Sequence, residues 1–178
     1  MLLMVLERHV RSSDQLAWVR DLLDQYEGPL LRYAKKIVGE EERARDVVQD
    51  TFLKLIEQPS EKVAGHEAQW LFRVCRNRAL DVLKKEGRMQ PDDAAVATKA
   101  SPEPAPAQVA EGKEASAQVL GLVEHLPRNQ REVVLLKFQN GYSYKQIAEI
   151  TSLSVSNVGY LLHHALKTLR TQLTPAGA

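Results

Sequence analysis

Apolar residues recur with the helical period in three blocks near the end of the chain, within residues 126–170. Pro127 suits the first turn of the first block, and Asn140-Gly141 is a stop signal after it. Ser143 and Ser154 are placed to cap a short second helix and a longer third one. This order is typical of a helix-turn-helix, whose second helix fits the DNA major groove. The end of an ordinary three-helix bundle is the alternative interpretation.

The first half of the chain shows the same helical period. Residues 13–38 predict a helix or a bent pair of helices, because Gly28-Pro29 interrupts the apolar stripe. Residues 44–58, ARDVVQDTFLKLIEQ, predict a second helix, and residues 70–85, WLFRVCRNRALDVLKK, predict a third. A loop with Pro and Gly breakers, residues 59–69, separates these two. The predicted fold class is therefore all-α.

A segment without apolar period, residues 89–116, is rich in Ala, Pro and acidic residues and predicts a flexible linker. It separates two small helical domains, predicted at 12–88 and 117–172. The net charge of the chain is only +1, but it is unevenly distributed. Residues 91–117 hold two basic and five acidic side chains, whereas residues 118–178 hold six and three. The linker could be a plain spacer, or its acidity could let it occupy a basic channel as a nucleic-acid mimic.

Two of the predicted helices have polar faces that suggest binding. In 44–58, spacings of three and four bring polar residues and one leucine to a single side: Asp46, Gln49, Asp50 and Leu53. This face could dock on a basic partner helix or could simply be solvated. In 70–85, basic residues and an amide lie opposite the apolar stripe, near Trp70 and Phe72. That face could bind phosphates and stack unpaired bases, or it could be a solvated surface over a core that holds the aromatic rings.

No catalytic or metal-binding motif is present. The sequence has no glycine-rich phosphate loop, no metalloprotease His-Glu motif and no nucleophile elbow. His163 and His164 are adjacent, so they cannot form a metal pair one helical turn apart. The single cysteine, Cys75, excludes an internal disulfide and is most simply a core residue in a reducing cytoplasm. The apolar MLLMVL at the start is too short for a signal peptide or a membrane span. We expect no enzyme, cofactor, metal or small-molecule substrate.

Taken together, the motifs resemble a bacterial extracytoplasmic-function (ECF) sigma factor of the sigma-70 family, over roughly residues 15–172. ARDVVQDTFLKL resembles the core-binding helix of that family, and WLFRVCRNRALDVLKK resembles its promoter-melting helix. Residues 126–170 resemble its final domain. The resemblance implies an N-terminal sigma-2-like helical bundle and a C-terminal sigma-4-like helix-turn-helix domain, joined by the flexible linker, which would follow the RNA exit path.

The resemblance also implies roles for individual residues. Asp46, Gln49, Asp50 and Leu53 would bind the clamp coiled coil of the polymerase β′ subunit. The loop 63–69 and the helix after it would bind the minus-ten element and hold a flipped base. The implied minus-ten residues are His66, Trp70, Arg73, Arg76 and Asn77. The final helix would read the minus-thirty-five element, and its domain would touch the β flap. The implied minus-thirty-five residues are Ser156, Asn157, Gly159, Tyr160, His163, His164 and Lys167.

The last helix departs from the family pattern. The family usually reads close to V-G-T-V-K-S-R-L-H-R-A-R-K-R-L-R, whereas this chain reads VSNVGYLLHHALKTLR. Non-basic or weakly basic residues replace the usual Lys or Arg at Gly159, Leu161, His164 and Leu166. We expect weaker minus-thirty-five binding, or reading by the side chains that remain available, which are Asn157, Tyr160, His163 and His164. An apolar patch for a protein partner is the alternative for the extra leucines.

The function implied is that of a dissociable RNA polymerase subunit that recognises promoter DNA and helps to melt it. A cytoplasmic location follows, with an anti-sigma factor as a further partner that could hold the protein at the inner membrane face. The alternative is a sigma-like helix-turn-helix regulator that acts by protein contacts without promoter melting. A simple repressor has no need of both motifs of the first domain.

Overall fold

The computed structural model describes residues 13–87 and 121–173, and every regular element in these two ranges is helical. This confirms the predicted all-α fold class. The helices are α1 (Ser13–Val38), α2 (Glu41–Ile56), a 3-10 turn (Ser60–Lys62), α3 (Glu67–Lys85), α4 (Arg128–Phe138), α5 (Tyr144–Thr151) and α6 (Val155–Leu173), with residues 121–124 also helical. The described residues fall into two compact units, one in each range. The predicted linker 89–116 and the N-terminal MLLMVL lie outside the described residues, and the predicted domain limits stay predictions.

The N-terminal unit is a three-helix bundle in which α1, α2 and α3 each pack against the other two. Its core contains fully buried rings and leucines, of which the largest are Phe52, Phe72, Leu30, Leu55 and Leu71. The Tyr33 and Phe72 rings meet with their centroids 5.1 Å apart and tilted by 50°. Because Tyr33 is in α1 and Phe72 is in α3, this contact joins the first and last helices of the unit.

Helix α1 runs without a break through Pro29, so residues 13–38 form the single helix that was one of the two predicted alternatives. A proline inside a helix costs about 3 kcal/mol, because it removes one N–H donor and crowds the preceding turn. Two features offset this cost. Leu22 and Leu23 before the proline and Leu30 after it are all buried in the same core, and each contributes about 1.5–3 kcal/mol. Gln25, whose carbonyl loses its usual donor, is exposed to water.

Polar contacts tie the three N-terminal helices together at their surfaces. The Gln15 side-chain amide donates to the Ile56 carbonyl at 2.9 Å, and this bond satisfies one of the free carbonyls at the end of α2. Arg43 near the start of α2 pairs with Glu86 at the end of α3, with 2.6 Å between Nη1 and Oε2. Further along the same two helices, Arg78 Nε lies 2.6 Å from Asp50 Oδ2. Helices α2 and α3 are thus joined by two ion pairs.

The C-terminal unit contains the predicted helix-turn-helix, formed by α5 and α6 after α4. Ser143 makes a full capping box: its hydroxyl accepts from the Gln146 N–H, and its own N–H donates to Gln146 Oε1. Ser154 caps α6 by accepting the Asn157 N–H at 3.1 Å. Gly141 has a φ of 71°, a conformation suited to glycine, and it follows α4 as the stop signal predicted. Leu136, Ile147, Ile150 and Leu162 are among the fully buried side chains.

The turn between α5 and α6 contains a strained serine. Ser152 has φ 61° and ψ 30°, the left-handed conformation that usually costs a residue with a Cβ about 1 kcal/mol. Replacing Ser152→Gly is therefore expected to raise the free energy of unfolding by about 0.5–1 kcal/mol. Thermal unfolding of the full chain measures this change in stability. Ser156→Gly is the matched control, since Ser156 is exposed inside α6, and there the same change should lower stability by about 0.5 kcal/mol. Loss of stability in Ser152→Gly would contradict the expectation.

Candidate functional site

One side of α2 presents the predicted polar face to solvent. Asp46 is exposed, while Gln49, Asp50 and Leu53 are half-buried. The opposite side of the helix packs into the core through Ala44, Val47, Val48, Thr51, Phe52, Leu55 and Ile56. The face is therefore an acidic and amide surface with one partly accessible leucine in it.

Sequence reasoning missed two further acids on this side of the helix. Glu42 and Glu57 are exposed and lie one helical turn from Asp46 and Leu53 respectively. The four-residue spacing from Asp46 and from Leu53 was the sequence signal that could have identified Glu42 and Glu57. With these two residues, the acidic surface extends along the whole length of α2.

Four of the five predicted minus-ten residues form a stripe along α3. His66, Trp70, Arg73 and Asn77 follow one another at helical-turn spacing, so they lie on a single line. His66, Arg73 and Asn77 are exposed, and Trp70 is half-buried. The fifth residue, Arg76, is half-buried and lies about 60° around the helix from Arg73. The stripe combines a cationic side chain, an amide and rings on the side away from the core.

The loop before α3 holds His66 in place. It consists of the 3-10 turn followed by Val63, which is fully buried and anchors the loop in the core. Gly65 has a φ of 84°, a left-handed conformation that lets the chain turn toward the helix. Helix α3 then begins at Glu67, three residues before the predicted start at Trp70. Trp70 consequently lies inside the first turn, where its backbone N–H donates to the His66 carbonyl at 3.0 Å.

Phe72 and Cys75 belong to the core and not to the stripe, which resolves the alternative left open for Phe72. Both are fully buried. Burial raises the pKa of the Cys75 thiol to about 12, with a hydrogen bond to Thr51 acting in the opposite direction. The Thr51 hydroxyl itself donates to the Val47 carbonyl at 2.7 Å. A buried thiol with so high a pKa does not form the thiolate near neutral pH, so Cys75 is a small core residue.

The outer side of α6 presents five of the seven predicted minus-thirty-five residues. Ser156, His163 and Lys167 are exposed, and Tyr160 and His164 are half-buried. The Tyr160 and His164 rings lie with their centroids 4.2 Å apart and their planes tilted by 48°, and the two histidine rings meet edge to face at 5.6 Å. The helix therefore presents a connected group of rings with one lysine beyond it.

Asn157 and Gly159 do not fit the predicted reading surface. Asn157 is only 5% exposed, and its Oδ1 is buried without a hydrogen-bond partner in the described part of the chain. Gly159 is also buried. Leu161, at a position where the family has arginine, is 3% exposed and belongs to the core, so it cannot be part of an exposed apolar patch. Asn157 precedes Leu161 by one helical turn, so the two side chains lie on the same face of α6. This spacing was the sequence signal that could have predicted the burial of Asn157.

Two family models match the chain on these two units. The model for sigma-70 region 2 matches residues 22–89, which contain α2, α3 and the loop between them. The model for sigma-70 region 4 matches residues 116–169, which contain the helix-turn-helix. Together they span more than half of the sequence. The chain belongs to the sigma-70 family.

Several similar proteins are ECF sigma factors. The ECF RNA polymerase sigma factor SigL of Mycobacterium tuberculosis is 28% identical over 170 residues, covering 93% of this chain and 94% of SigL. SigW of Bacillus subtilis, also an ECF sigma factor, is 27% identical over 179 residues, covering 93% and 94%. The sigma factor RpoE of Bartonella quintana, solved with the anti-sigma factor NepR, has a TM-score of 0.62 at 23% identity, covering 89% of this chain and 98% of that chain. This last likeness supports the fold alone.

Neither a metal cluster nor a membrane span is found in ranges 13–87 and 121–173. No group of three or more His, Cys, Asp or Glu side chains comes together there in a way that could hold a metal ion. None of the helices in these ranges is both long enough and apolar enough to cross a bilayer.

Proposed function

We propose that this protein is an ECF-type sigma factor that binds core RNA polymerase, recognises promoter DNA and initiates transcription in the cytoplasm, with no catalysis of its own. One observation supports this most directly: a single three-helix unit presents an acidic face on α2 and a cationic, aromatic stripe on α3. A stand-alone helix-turn-helix regulator has no use for these two surfaces. The sigma-like regulator that acts only by protein contacts is therefore not favoured.

The face of α2 is suited to a basic helical partner, which we take to be the clamp coiled coil of the β′ subunit. Asp46 and Asp50 supply carboxylates, and Gln49 supplies an amide on the same side. Leu53 adds apolar area that is partly accessible before binding. Complementary charge brings such partners together quickly and fixes their register, while burial of an apolar side chain slows dissociation.

The stripe on α3 is suited to a single strand of the minus-ten element. Arg73 can contact phosphate, while Trp70 and His66 provide rings on which unpaired bases can stack. Asn77 can bond to a base edge. Flipping a base out of the duplex costs a few kcal/mol, and stacking contributes about 1–3 kcal/mol per base. Contacts that are made only to the unpaired strand would therefore favour melting.

The outer side of α6 is suited to the major groove of the minus-thirty-five element, and we propose Ser156, Tyr160, His163, His164 and Lys167 as its contacts. Lys167 is the one permanently charged side chain among them. Each phosphate contact that is lost lowers the salt dependence of binding by about one unit of slope. This domain should consequently bind DNA more weakly than a domain whose recognition helix is rich in arginine.

We further propose contact with the β flap and control by an anti-sigma factor, the class of partner present in the RpoE complex.

Replacing Asn77→Ala is expected to reduce open-complex formation more than closed-complex binding, because an amide on the stripe meets bases only after strand separation. A loss of about 1–3 kcal/mol, roughly five- to 150-fold, is expected in the opening equilibrium. Permanganate reactivity of unpaired thymines measures opening, and gel shift on ice measures closed binding. Gln25→Ala, an exposed amide on α1, is the matched control. Equal losses in both assays would exclude a melting role for Asn77.

Transcription start-site mapping tests the proposed function as a whole. Purified protein and core polymerase would be incubated with genomic DNA, and starts would be compared with and without the protein. Discrete starts preceded by minus-ten and minus-thirty-five motifs are expected. Starts that share only a minus-ten motif would mean that α6 has lost sequence reading. Binding to core polymerase without any new start would instead support the sigma-like regulator.

A further inference from the structure

Arg78 connects the two surfaces of the N-terminal unit. It is in α3, the helix of the nucleic-acid stripe, but its Nε donates to Asp50 Oδ2 on α2 at 2.6 Å. The Arg78 and Asp50 side chains are 31% and 37% exposed, so the pair lies at the surface of the groove between the two helices. Asp50 is half-buried within the acidic face, and its carboxylate contacts α3 through Arg78.

The position of Arg78 on its own helix separates it from the stripe. It follows Asn77 by one residue, which turns its side chain by about 100° away from the line of Arg73 and Asn77. The geometry of the helix sets that turn, and the bond to Asp50 shows that Arg78 reaches α2. Among the arginines of α3, Arg73 therefore points to the nucleic-acid side and Arg78 to the acidic side of the unit.

The bond fixes the direction of one carboxylate in a surface that binds through carboxylates. An aspartate free in solution samples several rotamers, and a partner that needs one of them must order it on binding. A charge-assisted bond from Arg78 to Oδ2 orders the Asp50 carboxylate in advance. An ion pair this exposed contributes little to folding stability. Its effect should thus appear in binding and not in the stability of the free protein.

We propose that Arg78 is a positioning residue of the polymerase-binding surface, which holds the Asp50 carboxylate toward a basic helical partner. This inference depends on the proposed function, since it assumes that the face of α2 binds core polymerase. Arg78 is not part of the DNA-reading stripe, although it lies within the same helix as that stripe.

Affinity of the full-length protein for core polymerase tests this assignment. Arg78→Ala should weaken binding roughly tenfold, and Arg78→Lys, which keeps the charge without the fork of the guanidinium, should recover part of the loss. Asp50→Asn should weaken binding by a similar factor. In the double variant the losses should not multiply, because Arg78 acts through Asp50. Arg32→Ala is the matched control: Arg32 is an exposed arginine on α1, so its truncation should leave polymerase affinity unchanged.

Three results would overturn the assignment. The first is unchanged affinity in Arg78→Ala, measured on protein whose thermal unfolding matches the wild type. The second is full multiplication of the two single losses in the double variant. The third is wild-type affinity in the exchanged pair Asp50→Arg with Arg78→Asp, since that would mean that only the intramolecular bridge matters. If Asp46→Arg and Asp50→Asn both bind polymerase normally, the proposed role of α2 fails, and that outcome is distinct from failure of the Arg78 assignment alone.

Discussion

Replacing Asp46→Arg is expected to abolish stable binding to core polymerase, with a loss in affinity of about 100-fold or more. Asp46 is exposed near the middle of the acidic face, so an arginine there would oppose the basic partner directly. Like charges placed together in an interface cost several kcal/mol, whereas 100-fold corresponds to about 2.7 kcal/mol. Fluorescence anisotropy of labelled protein titrated with core polymerase measures the change.

Asp46 is a better site for this reversal than Asp50. An arginine at position 50 would stand beside Arg78 and disturb the free protein as well as the complex. Asp24→Arg is the matched control, because Asp24 is an exposed helical aspartate on α1 and its reversal changes net charge by the same amount. Equal affinity of the Asp46 and wild-type proteins would show that α2 does not bind polymerase through this face.

Replacing Phe72→Ala is expected to lower the free energy of unfolding of the N-terminal unit by about 3–5 kcal/mol. Phe72 is fully buried and packs on the Tyr33 ring, so its removal leaves a cavity between α1 and α3. A loss of this size is a large part of the 5–15 kcal/mol typical of a domain. Urea unfolding followed by circular dichroism measures it.

Phe138→Ala is the matched control for Phe72→Ala. Phe138 is 45% exposed at the end of α4, and its truncation should cost less than about 1 kcal/mol. Similar losses for the two variants would mean that Phe72 is not a core ring. Because Phe72→Ala destabilises the whole unit, a loss of promoter melting in this variant would report on the fold and not on stacking.

The local signals of the sequence were sufficient for the C-terminal unit. Ser143, Ser154 and Gly141 act at the positions where their chemistry predicted caps and a stop. These features depend on residues within one turn of each other, so they can be recognised without knowledge of the fold. Pro29 is different, because its local cost is outweighed by leucines that reach a core formed with α2 and α3.

Sequence periodicity predicted which side of each helix is outside, but not the contacts between helices. It placed Arg73 and Asn77 opposite the apolar stripe of α3, whereas His66 and Trp70 were named by the resemblance to the family. Periodicity could not predict the contact of Arg78, because its partner, Asp50, is on another helix and 28 residues away in the sequence. For Asn157, the polarity of the side chain favoured exposure, whereas the packing of α6 buries it. A buried polar group of this kind is recognised only when its neighbours in space are known.

The ion pairs Arg43–Glu86 and Asp50–Arg78 also favour one axial alignment of α2 against α3. They are about two helical turns apart along both α2 and α3, which run in opposite directions. Sliding one helix by a single turn, about 5.4 Å, would separate both pairs at once. Each pair is weak alone, so the packed core fixes the register and the two pairs favour the same one. Under the proposed function, the N-terminal unit therefore holds the point of strand separation at a constant distance from the polymerase clamp.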